Sequence, residues 1–272
     1  MAQLLVFTDL DGTLLDHHDY NFDAAVPTLK TLAMMEIPCI INTSKTFAEL
    51  VVLRKALNLN TPFISENGAA VWIPKGQLNC TEPLIETDTF WLKPFGPARE
   101  QLTELAQGFA EQFSFTPFSE LSSADVMHLT GLTEAEAEAA MERHFTEPLV
   151  WRDSPLALER FRKELEPHGI QAQKGGRFVH LMGSQCDKAK AMAWLKEQYQ
   201  QQSASPVTVI ALGDGENDIG MLKAADIPVL IRSPKHLPPQ IPGRHNILLT
   251  EKCGPAGWSE ALNQILIREG VI

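Results

Sequence analysis

Four short runs of this chain, residues 4–8, 37–42, 207–212 and 227–231, are apolar with almost no polar alternation. A strand with no polar face must be covered on both sides, which is the situation of a strand inside a parallel sheet layered by helices. The segments between these runs carry helical spacing. In 23–36 the apolar residues Val26, Leu29, Leu32 and Ala33 share one face, and 46–57 and 187–201 are amphipathic as well. Strand and helix in alternation predict an α/β fold with a parallel sheet and helices on both faces.

The middle of the chain breaks this pattern. Between about residues 83 and 185 there are more aromatics and more isolated prolines. Strands are predicted at 90–94 and 177–182, and helices at 97–113, 133–145 and 155–168. Thr133 is placed as the N-cap of the second helix, with Glu136 three positions on. The simplest organisation is one sheet domain made of residues 1–83 and 187–272, with an α+β domain of residues 84–186 inserted into it.

Composition excludes several classes. The chain has 272 residues, 44% of them hydrophobic, which is ample for a large core. A net charge of -11 argues against a general nucleic-acid binder. Cys39, Cys80, Cys186 and Cys253 are widely spaced and make no zinc or disulfide framework. No apolar run approaches membrane-spanning length, and no secretory leader is visible, so a cytoplasmic protein without a membrane partner is expected.

The apolar strands end abruptly on polar clusters. Residues 4–8 stop at Asp9, with Asp11 two positions on and Gly12 after it; 37–42 run into Thr43, Ser44 and Lys45; 207–212 end near Asp214, Asn217 and Asp218. In an open parallel sheet the C-terminal strand ends share one edge, where ligands bind. Acids gathered there repel one another unless a cation intervenes, and an all-oxygen donor set suits Mg2+. One carboxylate can attack phosphorus while another moves the proton, and a threonine and a lysine can hold phosphate oxygens. The expected partner is a small phosphorylated metabolite. An EF-hand is excluded by Thr13 and Leu14, and a dinucleotide fingerprint by Asp218 where a glycine would stand.

The stretches DLDGT at 9–13 and GDGEND at 213–218 resemble the haloacid dehalogenase (HAD) phosphatase superfamily, and the inserted segment resembles the large cap of its Cof-type branch. That resemblance implies a Rossmann-like core and Mg2+-dependent phosphoryl transfer through a phospho-aspartate. Carried onto this chain, it makes Asp9 the nucleophile, Asp11 the general acid/base, Thr43 the second-motif residue and Lys188 the third-motif lysine. Asp214 and Asp218 join Asp9 and Asp11 as the metal set, and Asn217 positions the phosphate or Lys188. Most Cof-type relatives have Thr-Gly-Arg at the second motif, whereas this chain has Thr43-Ser44-Lys45-Thr46 with Glu49 a turn later. This variant, with SENGA at 65–69, EPLVW at 147–151, GGRFVHLMG at 175–183 and GPAGW at 254–258, resembles the mannosyl-3-phosphoglycerate phosphatase family.

The substrate so implied has a phosphate, a carboxylate and a sugar. Arg177, preceded by two glycines, is the expected carboxylate ligand. Gly12, Ser44, Lys45, Asn67 and Asn217 are expected around the substrate, with Lys174 as a helper and Glu66 or Asn67 on sugar hydroxyls. His180 is expected to be a satisfied structural histidine, Trp91, Trp151 and Trp258 core or domain-interface residues, and 234–242 a structural proline-rich loop. Competing readings are another sugar- or glycerate-phosphate phosphatase, a phosphomutase, or a non-catalytic binding protein; the last is disfavoured because Asp9, Asp11 and Asp214 are all retained.

Overall fold

The computed structural model describes residues 3–175 and 177–272. The first third of the chain contributes β1 (Gln3–Thr8), α1 (Val26–Met34), β2 (Cys39–Ile41), α2 (Phe47–Ala56), β3 (Phe63–Ser65), β4 (Ala70–Pro74), β5 (Ile85–Glu86) and β6 (Phe90–Pro94). The middle contributes α3 (Arg99–Phe109), β7 (Phe115–Pro117), α4 (Ser123–Thr130), α5 (Glu134–Met141), β8 (Thr146–Trp151), α6 (Pro155–Leu165), β9 (Ile170–Gly175) and β10 (Phe178–Gly183). The last third contributes α7 (Lys188–Gln202), β11 (Val207–Gly213), α8 (Ile219–Ala224), β12 (Ile227–Arg232), β13 (Leu248–Cys253) and α9 (Gly254–Arg268).

The predicted parallel sheet is present, five strands in the order β13-β12-β11-β1-β2. Its two faces bury alternate residues, as the pleat requires. Leu4, Val6, Ile210 and Leu212 pack on one side with Trp258 and Leu262 of α9. Leu5, Phe7, Val209 and Ala211 pack on the other with Met192 and Leu195 of α7. This two-sided burial is why the runs lack polar alternation.

A four-stranded antiparallel sheet, β3-β4-β6-β5, extends this core. It abuts β2 through a parallel bridge between Asn42 and Ile64. β6 pairs with β4 and β5 with β6, so residues 85–94 belong to this sheet and the division expected between 83 and 84 falls inside it. The second antiparallel sheet, β7-β8-β10-β9, belongs to the middle of the chain and fits a cap domain. One of its faces buries Leu149, Val179 and Leu181 against Leu102 of α3 and Phe161 of α6. Its opposite face, carrying Gln173 and His180, looks into a cavity shared with the parallel-sheet edge.

Local signals set several boundaries. The Thr133 hydroxyl accepts from Glu136 N, and the Glu136 carboxylate accepts from Thr133 N, closing the expected capping box. The same box, Thr46 with Glu49, starts α2. The helix expected over 133–145 ends at Met141, because the chain turns there to enter β8.

Trp258 ties the last helix to the end of β1. It is fully buried, and its indole N–H donates to Thr8 Oγ1 at 3.0 Å, which donates in turn to the Asp9 carbonyl at 2.7 Å. Trp258→Phe should therefore lower the unfolding free energy by about 1–3 kcal/mol, through a lost hydrogen bond and a small void. Urea titration of the two proteins measures this.

Candidate active site

Asp9 leaves the end of β1 with its N–H still bonded to the Leu212 carbonyl at 2.9 Å, so its backbone is an extension of the sheet. Its side chain is buried, and Oδ1 accepts from Lys188 Nζ at 2.7 Å. Lys188, the first residue of α7, also donates to Asp218 Oδ1 at 2.7 Å. The other oxygen of Asp218 accepts from the backbone N–H groups of Asp214 and Gly215 at 3.1 and 3.0 Å. Asn42 Nδ2 bonds the Lys188 carbonyl at 3.0 Å. Lys188 is thus held by Asp9, Asp218 and Asn42, while Asn217 points elsewhere, toward Asn67 Oδ1 at 3.4 Å.

Asp9, Asp214 and Asp218 each bring one carboxylate oxygen to within 4.8 Å of the others. Asp214 receives Thr13 Oγ1 at 3.3 Å, and His236 Nε2 lies 3.3 Å from its second oxygen. Gly12 has φ +79°, and a Cβ there would lie 2.6 Å from Asp214 Oδ2, so only glycine lets the turn pass this close to the acid. Burial, reinforced by the charges of Asp218, Asp214 and Asp11 against the pull of Lys188, pushes Asp9 up to about 8. Burial and Asp218 push Asp214 up to about 6. Burial alone would lower Lys188, but Asp218 and Asp9 outweigh it and hold its ammonium above its ordinary range. Three buried acids with one shared lysine are short of positive charge, and their oxygen-only donors fit a hard divalent cation. The unpartnered, buried Asp11 Oδ1 beside them fits the same need.

Asp11 stands apart from this trio. Its side chain is 37% exposed, and Oδ2 lies 3.1 Å from Lys45 Nζ, which is also 3.5 Å from Glu49. Burial would lower Lys45, yet Asp11 and Glu49 more than offset it and keep the ammonium charged. Thr43 is buried at the end of β2, where its hydroxyl accepts from Lys45 N at 3.4 Å.

A cavity of about 260 Å³ runs from this edge to the sheet of β7–β10, and Asp11, Ser44, Lys45, Asn67, Arg177 and Asn217 all line it. Arg177 Nη1 is engaged by the carbonyls of Leu129 and Thr130 at 2.7 and 2.8 Å, at the end of α4. Of the glycine pair before it, Gly175 lines the cavity and Gly176 lies outside the described residues. A second cavity of about 540 Å³ opens beside Asp9 and Asp214 and is lined by Lys174, Lys235 and His236.

Two expectations need correcting. Glu66 is fully buried, and its carboxylate accepts from His144 N at 3.0 Å, Phe145 N at 3.2 Å and Thr146 Oγ1 at 2.5 Å. Fully buried, it is out of reach of sugar hydroxyls and instead clamps the start of β8 to the core. His180 is not satisfied: it faces the cavity, and its Nδ1 is buried without a partner. The sequence reading also missed Arg143 and His236. Arg143 fell inside the helix expected over 133–145 but lies beyond the end of α5, and His236 lies in the proline-rich loop; neither belongs to a motif that marked it.

The family of haloacid dehalogenase-like hydrolases matches residues 6–90 and 120–236. A glucosyl-3-phosphoglycerate/mannosyl-3-phosphoglycerate phosphatase of Persephonella marina is 35% identical, with 97% of each chain covered. A protein of the same name from Methanococcoides burtonii is 38% identical, covering 96% of this chain and 97% of that one. The crystal structure of BT1666 from Bacteroides thetaiotaomicron, a phosphatase of the HAD superfamily, is similar in fold, with a TM-score of 0.66 at 19% identity and coverage of 100% and 96%.

Glu66→Ala removes the acceptor of two buried backbone N–H groups and a hydroxyl. It is expected to cost on the order of 3 kcal/mol of stability, measured by chemical denaturation.

Proposed function

From a chain that belongs to the haloacid dehalogenase-like hydrolase family, we propose a cytoplasmic, Mg2+-dependent phosphatase that converts mannosyl-3-phosphoglycerate to mannosylglycerate and phosphate. The observation that carries the chemistry is Asp9, rigid at a strand end and pinned by Lys188, with Asp11 two residues on facing the cavity. The substrate reading is supported by two near-full-length relatives named for this reaction.

Asp9 attacks phosphorus, and the bond from phosphorus to the glycerate oxygen breaks. Asp11 gives its proton to that oxygen, and the sugar acid leaves. Asp11 then takes a proton from water as the water oxygen attacks phosphorus; the Asp9–phosphorus bond breaks, and phosphate and free Asp9 result. Lys188 keeps Asp9 oriented and offsets its charge. Thr43, Ser44, Gly12 and Asn217 surround the phosphoryl oxygens, with Lys45, Asn67 and Arg177 further along the cavity. Mg2+, held by Asp9, Asp214 and Asp218 with Asp11 beside them, would neutralise negative charge on the phosphoryl group. The sheet of β7–β10 and its helices act as the cap that limits water access and selects the substrate.

A second reading, glucosyl-3-phosphoglycerate as substrate, is favoured by the same relatives, whose names carry both sugars. Phosphate release from both compounds, 3-phosphoglycerate and simple sugar phosphates separates these readings. The mannosyl compound is expected to give the highest kcat/KM, and a preference for simple sugar phosphates would discard it. Phosphate found on an acceptor sugar instead of in solution would indicate a mutase. Asp9→Asn should lower kcat by roughly 10³-fold or more with an unchanged circular dichroism spectrum.

The acids also predict a pH effect. An Asp9 raised to about 8 in the folded state destabilises that state progressively as pH rises from the unfolded value of 3.8. A cation that favours the carboxylate removes this penalty. Excess Mg2+ should therefore raise the melting temperature more at pH 8.5 than at pH 5.5, read by thermal unfolding of metal-stripped protein.

A further inference from the structure

Two arginines line the cavity between the sheet edge and the cap sheet, Arg143 and Arg177. Among the described residues, the arginines in ion pairs are Arg99, Arg162 and Arg268, so neither cavity arginine has a carboxylate. Lys45, the third cation there, is already matched by Asp11 and Glu49. The cavity therefore holds an excess of arginine charge with no protein anion to meet it.

The two arginines are not equivalent. Arg177 Nη1 spends its hydrogen bonds on the Leu129 and Thr130 carbonyls, a favourable place for a cation at a helix C-terminus. Arg143 Nη1 donates to Thr146 Oγ1 at 2.9 Å and reaches the Ser44 carbonyl at 3.5 Å. Thr146 in turn donates to Glu66. This chain of contacts fixes the guanidinium beside the end of β2, next to the expected phosphate position. Its Nε is withdrawn from water and has no partner. A guanidinium offers five N–H donors; both arginines use only one nitrogen, but the bonds of Arg143 are part-buried whereas those of Arg177 are exposed.

A second observation points to a ligand at the same place. His180 is 8% exposed, faces this cavity, and its Nδ1 is also unpartnered. Burial, with Arg143 adding to it, pushes His180 down to about 3, so it is a neutral hydrogen-bonding group. Gln173, its partner across the β9–β10 ladder, lines the cavity too.

We infer that Arg143 is the specificity-determining residue that receives a second anionic group of the substrate, a carboxylate, through its free N–H edge. Neutral His180 and Gln173 beside it meet uncharged hydroxyls. This assignment deepens the phosphatase reading above and rests on it; it moves the carboxylate contact from Arg177 to a residue that no motif marks.

The test is a ratio of kcat/KM values, for mannosyl-3-phosphoglycerate against its carboxamide. The wild type should prefer the carboxylate strongly. In Arg143→Gln the preference should fall by roughly 30-fold or more, and Arg143→Lys should recover part of it. Taking a ratio cancels losses that come merely from disturbing Ser44 and Thr146. A ratio unchanged in Arg143→Gln, or no carboxylate preference in the wild type, overturns the assignment. If the wild type instead hydrolyses 3-phosphoglycerate and not its mannosyl derivative, the sugar reading falls alone. The same ratio, taken for 3-phosphoglycerate against glycerol 3-phosphate, then decides the role of Arg143.

Discussion

The structure turns on one buried lysine. Lys188 Nζ sits 2.7 Å from both Asp9 and Asp218, in surroundings where an unpaired charge of either sign is costly. One ammonium cannot balance three buried carboxylates, and that deficit makes the edge a place that fits a cation. The parallel sheet exists to hold these groups still. Asp9 is one residue beyond β1, Asp214 is one residue beyond β11, and Lys188 begins the helix packed against them. Each is anchored by backbone hydrogen bonds that would have to break before the site could distort.

The connection between core and cap depends on an unusual backbone segment. Glu66, Asn67 and Gly68 have φ values of +51°, +58° and +86°, three consecutive residues in the left-handed region. For Glu66 this is a strained choice, tolerated because surrounding contacts over-determine it. The segment turns the Glu66 carboxylate into the start of β8, brings Asn67 to Asn217, and passes so close to the Asp187 carbonyl that a Cβ at Gly68 would lie 2.3 Å from it. One short loop thus touches the cap, the motif at the end of β11 and the base of the lysine helix.

Much of this was legible from residue pattern. Unbroken apolar runs marked β1, β2, β11 and β12, and helical apolar spacing marked α2 and α7, because burial on two faces leaves no polar alternation and burial on one stripe leaves a periodic trace. The strands β7, β8 and β9 and the helix α4 left little trace. β7 is short, β7 and β8 contain proline, and the cap sheet buries only one face in its apolar core. At the site, Asp9, Asp11, Asp214 and Asp218 stood out through spacing after strands, and Lys188 through the family resemblance. Glu66 was misread because its partners are backbone groups about eighty residues away, and backbone groups have no sequence signature.

Sequence alone determined the α/β core, the edge where the acids meet and the chemistry those acids can perform, since each follows from residue type at a strand end. Only the tertiary structure decided what stands opposite that edge. The cap brings Arg143 and His180 over the acids through a clamp on Glu66 and a turn after α5. Those contacts join residues with no periodic relation, set by packing between two layers; neither periodicity nor motif spacing encodes that relation.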